Sequence, residues 1–115
     1  MTAESDAKRL RDELVKLREQ ISRESSTVAS RRKSAADARA QAGRSKSSST
    51  IQSKLREADR HEAAAVAAEK KRADLEGKVA TKEKALASAQ GRWDKELAAA
   101  QKKAIDGLKK QADQA

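Results

Sequence analysis

The chain has 115 residues, 39% of them charged and 37% hydrophobic, with a single tryptophan as its aromatic content and neither proline nor cysteine. The apolar share is mostly alanine, which excludes a globular core of Leu, Ile, Phe and Tyr and leaves the long-helix or coiled-coil class. Without cysteine, disulfides and thiolate metal sites are excluded as well, and the formal charge of +9 is spread along both halves instead of being gathered in a basic tail.

High charge with low hydrophobicity also describes unfolded tails, but Ala, Lys, Arg, Glu and Leu are the strongest helix formers and nothing interrupts them here. A first helix is predicted over about residues 3–42. Thr2 caps it, and Glu4 and Asp6 place negative charge at the positive end of the helix dipole. Leu10, Leu14, Leu17 and Ile21 then step by four, three and four, which aligns them on one face. Glu4/Lys8, Asp12/Lys16 and Glu19/Arg23 are acid-before-base pairs one turn apart. Past Ile21 the stripe thins through Val28 to Ala35, Ala38 and Ala42, among several serines.

The bend is predicted over about residues 43–49. Gly43 suits the left-handed position after a helix, Ser48 lies in the serine run, and Ser49 with Gln52 matches a capping box that opens the next helix. That second helix is predicted over about residues 50–113, with Ile51, Leu55, Ala58, Ala65, Leu75, Val79 and Leu86 near heptad spacing. If the chain reverses at the bend, facing positions have numbers that add to about 93, and apolar residues then meet apolar residues along most of both stripes. Ala38 falls by Leu55, Ala35 by Ala58, Val28 by Ala65 and Leu14 by Val79, while Glu24 and Arg31 oppose the polar Glu69 and Glu62. The fold class expected for residues 1–115 is therefore all-α: one elongated antiparallel helical hairpin, a coiled coil with a longer second helix, assembling into a bundle.

The second helix outruns the first by about twenty-five residues, roughly 35–40 Å. Leu75, Leu86, Leu97 and Leu108 are spaced by eleven, which favours a nearly straight seam. Trp93 is expected just beyond the cover of the first helix, where with Leu97, Ile105 and Leu108 it would form an apolar strip that contacts another subunit.

No residue constellation points to a reaction. His61 is the sole histidine and reads as a solvated surface residue, and the carboxylates are scattered over helix faces with no cleft to shift their proton affinity. No catalytic, metal or cofactor residue is expected, and no small-molecule ligand. The serine bend lacks the preceding strand and the spacing of a phosphate-binding loop. Arg31-Arg32-Lys33, Lys70-Lys71-Arg72, Lys102-Lys103 and Lys109-Lys110 are basic clusters that could meet phosphates without reading sequence, although aromatic residues for base stacking are absent apart from Trp93. The longest apolar run, Ala63 to Ala68, is too short to span a bilayer, and the first residues lack a signal-peptide pattern, so a cytoplasmic location is the default expectation.

Arg44-Ser45-Lys46-Ser47-Ser48-Ser49-Thr50 and the following Ser53-Lys54-Leu55-Arg56-Glu57-Ala58-Asp59-Arg60 resemble the N-terminal coiled-coil region of large bacterial multidomain proteins, which precedes an effector domain of the caspase-like CHAT type or a related one. The resemblance implies an oligomerisation or partner-docking module and brings no catalytic residues. The expected function is homo-oligomerisation or protein interaction. Binding of nucleic acid or another anionic surface is the alternative, and a structural spacer is the second alternative.

Overall fold

The computed structural model describes residues 2–114. It consists of two helices, α1 (Ala3–Arg44) and α2 (Ser48–Gln114), 42 and 67 residues long. The protein is thus an all-α helical hairpin whose second helix is the longer. Helices of this length form because alanine and the long charged residues lose little freedom in them and no proline breaks the ladder. Pairs such as Glu4–Lys8 at 3.2 Å and Arg9–Glu13 at 3.7 Å add a few tenths of a kcal/mol each on the exposed face.

α1 starts as its sequence demands. The Thr2 hydroxyl accepts a hydrogen bond from the Ser5 amide at 3.1 Å, and the Thr2 carbonyl accepts the Asp6 amide at 3.0 Å. The reversal differs from expectation. Gly43 lies inside the last turn of α1 with no positive φ, so it is not a left-handed cap. The bend is only Ser45, Lys46 and Ser47. The Ser45 amide reaches back to the Ala42 carbonyl at 3.3 Å, the Ser45 hydroxyl accepts the Ser47 amide at 3.2 Å, and the Ser47 hydroxyl accepts the Thr50 amide at 3.4 Å. Ser47 is therefore the cap of α2, with its own carbonyl accepting the Ile51 amide at 2.9 Å. The expected box of Ser49 and Gln52, and Ser48 before it, are absorbed into the first turns of α2. Serine hydroxyls that compete for backbone amides stop α1 and start α2 without a glycine.

Two compact units divide the chain: one joins α1 up to Val15 with α2 from Ala80 onward, and the other is Lys16–Val79. In the second unit the buried residues are Val28, Ala35, Ala38, Ala42, Ala58, Ala65 and Ala68. Ala58 is fully enclosed and packs with Ala35 and Ala38. The expected neighbour of Ala38, Leu55, is instead 45% exposed. Ala58, three residues further along α2, packs with Ala38 in its place. Leu17, Ile21, Ile51, Leu75 and Val79 are half-buried and flank this seam.

In the first unit Ala7, Leu10 and Ala89 form a buried cluster, covered by the half-buried Leu86 and Trp93. Ala3 and Leu14 are buried in the same unit. Both seams rely on alanine methyls, worth on the order of 0.8 kcal/mol each where a leucine is worth about 1.5–3 kcal/mol.

The turn chemistry gives two substitutions of opposite sign. Nothing lies within 4 Å of a Cβ placed on Gly43, so Gly43→Ala removes a helix-interior glycine and raises stability by about 0.5–1 kcal/mol. Ser47→Ala removes the α2 cap and lowers it by about 1 kcal/mol. Thermal melts followed by circular dichroism should show the midpoint rising for the first and falling for the second; a fall for Gly43→Ala would restore the left-handed cap.

Candidate functional site

Among the described residues no group of three or more His, Asp or Glu side chains is placed to hold a metal ion, and no helix is long and apolar enough to cross a membrane. The concavities are open grooves on helix faces, one lined by Gln20, Glu24, Lys71, Asp74, Leu75 and Lys78 and another by Ser26, Thr27, Ser30, Arg31 and Ser34. The surface features that carry chemistry are the rows of charge beside each seam and the apolar positions that α1 leaves uncovered.

In the Lys16–Val79 unit, arginines of α1 reach across to carboxylates of α2. Arg32 pairs with Glu69 and lies 4.0 Å from Glu62, while Arg39 contacts Glu62 at 3.6 Å. Glu62 and Glu69 are thus paired with Arg32 and Arg39, where the sequence set Arg31 and Glu24 opposite them. Arg31 instead donates to Nδ1 of His61 at 3.1 Å, and the other ring nitrogen faces Glu57 at 3.8 Å. His61, expected as a solvated residue, is a half-buried bridge between the helices. Arg72 of α2 returns the reach, donating to the Ser25 hydroxyl at 3.4 Å.

These contacts dissolve two of the basic clusters seen in the sequence. Consecutive helical residues point about 100° apart, so Arg31 and Arg32 turn toward α2 while Lys33 faces solvent, and Arg72 turns toward α1 while Lys70 and Lys71 face solvent.

The same device holds the other unit. Lys82 contacts Glu13 at 2.8 Å, Arg92 contacts Asp6 at 3.7 Å, and Arg11 donates to the Gln90 side chain. Trp93 lies within this frame, its side chain packed on Ala7, Leu10 and Ala89. The expectation that Trp93 lies just beyond the cover of α1 and contacts another subunit is corrected by this packing: α1 reaches far enough along α2 to half-bury it against Ala7 and Leu10. Beyond Trp93 the expectation of exposure holds. Leu97, Ile105 and Leu108 are 48%, 54% and 66% exposed, and Lys102, Lys103, Lys109 and Lys110 are exposed on the same length of α2.

Compared with protein families, curated proteins and solved structures, the chain matches none.

Two expectations follow from this geometry. Trp93 emission should be blue-shifted from that of indole in water even at the lowest measurable protein concentration, and Ala7→Asp should move it red while helical circular dichroism persists; water-like emission from the parent chain would remove the packing. Arg32→Ala should lower stability by less than about 1 kcal/mol, because its side chain is 50% exposed and exposed ion pairs contribute little. The difference should shrink in 1 M salt, where screening acts within about 3 Å; a loss that is large and independent of salt would assign Arg32 a packing role instead.

Proposed function

We propose that the chain is a non-enzymatic coiled-coil module for oligomerisation or protein interaction, with further copies of itself as the first partner. One observation carries this reading: Leu97, Ile105 and Leu108 stand on a continuous helix with about half or more of their surface open to water. An apolar row of this kind usually marks a contact surface. The weakness of the alanine seams supports it, since burying a second face adds apolar area that one chain cannot supply. The resemblance of the serine bend and the start of α2 to the coiled-coil region of bacterial effector proteins supports a module that serves an effector.

A second reading, sequence-independent binding of nucleic acid or another polyanion, rests on the +9 charge and on the exposed lysines of α2. It is weakened because Arg31, Arg32, Arg39 and Arg72 are engaged between the helices. A structural spacer would bind neither partner.

Light scattering against concentration, run beside a gel-shift titration at two salt concentrations, separates the three. The interaction module should show a molar mass above that of the 12.5 kDa chain with modest salt dependence. A polyanion binder should lose affinity steeply as salt rises. A monomer at every concentration that binds no protein partner would leave the spacer.

A further inference from the structure

We infer that the part of α2 beyond Trp93 pairs with the same part of a second copy, antiparallel, with Leu97 of each chain against Leu108 of the other. This rests on the oligomerisation reading above and names its contact. The first argument is continuity. Leu86, Ala89 and Trp93 are the α2 residues that pack on α1, and at a helical period Leu97, Ala104 and Leu108 extend that same face. α1 begins at Ala3, and Leu97 and Leu108 remain open among the described residues. The seam therefore runs on past its cover.

Charge decides both the occupant and its direction. Acidic Asp94 lies beside the seam at one end of this stretch, and Lys109 lies on the same side of it at the other. Asp94 accepts a hydrogen bond from Gln90 of its own helix at 3.1 Å, which leaves its second oxygen to solvent. Two antiparallel copies with Leu97 opposite Leu108 bring Asp94 of one beside Lys109 of the other on one side of the seam. Two-fold symmetry repeats this contact. A parallel pair would set Lys109 against its own copy, a repulsion at the very level of Leu108.

The stretch from Trp93 to Gln114 is about 30 Å of helix, so the interface belongs to the small, weakly associating class. Its strength should be sensitive to the flanking charges.

The test uses the full chain in two charge-reversed forms, Asp94→Lys and Lys109→Glu. These exchanges keep good helix formers in place, and circular dichroism checks that each chain stays helical. Sedimentation equilibrium should show each variant alone self-associating at least about tenfold more weakly than the parent chain, since every flanking pair becomes repulsive. An equimolar mixture should recover the parent affinity as a heterodimer, because each reversed end then meets its complement. Association that both variants retain unchanged would overturn this contact and leave oligomerisation through another face. A parent chain that stays monomeric at millimolar concentration would overturn the contact and the oligomerisation reading together. Loss in both variants without recovery in the mixture would overturn the antiparallel pairing.

Discussion

Close approach of two helices at alanine is the constraint on which the rest of this protein depends. A methyl group at Ala35, Ala38 and Ala58, and again at Ala7 and Ala89, lets the backbones come toward the short end of the usual helix spacing, about 8 Å. Where Ala35, Ala38 and Ala58 meet there is no room for Leu55, which is exposed while those alanines are enclosed; in the other unit Leu10 packs with Ala7 and Ala89. The same closeness brings opposite charges within reach across the helices, α1 arginines to α2 carboxylates at one seam and α2 cations to α1 carboxylates at the other, so a charged row flanks each seam as a geometric consequence. Small core and charged edge are one feature seen from two sides.

That arrangement sets a ceiling on what the apolar seam can contribute. Alanine supplies high helix propensity and little buried area, so each helix is favoured as a helix more strongly than it is held to its neighbour. The interhelix ion pairs lie at side chains between about one-fifth and three-fifths exposed, where they fix register more than they add stability. Arg32, bridging Glu62 and Glu69 about two turns apart, acts as a ruler along α2. Stability is then modest and specificity of alignment high, which suits an element whose faces are completed by association.

The hairpin was legible from the sequence because it rests on periodicity and on the agreement of two stripes about a bend, and both are properties of spacing alone. The start of α1 at Thr2 was legible for the same reason, since a cap is a local matter. The turn was not. Gly43 and the Ser49–Gln52 pair fit known capping patterns, but the four serines within Ser45–Ser49 offer several equivalent hydroxyls, and only the geometry of the reversal selects Ser47. Leu55 and Trp93 were misplaced for another reason: the helices meet Ala38 with Ala58 in one unit and Ala7 with Ala89 in the other, a register set by alanine packing and not by the spacing of the stripes. His61 was misjudged for a different reason: its partner Arg31 is thirty positions away in sequence, and no local signal marks the contact.

The position of Trp93 bears on how the open part of α2 would be used. An indole packed on Ala7 and Leu10 anchors the last covered turn of α2, so the helix leaves α1 from a fixed point and not from a frayed one. Alanine, glutamine and lysine then carry the helical conformation onward through Gln114. A preformed helix loses less conformational freedom on association than a chain that must fold to bind. The open row of Leu97, Ile105 and Leu108 is thereby presented at a set angle by a rigid element, and the small apolar area of that row is offset in part by the order already built into it.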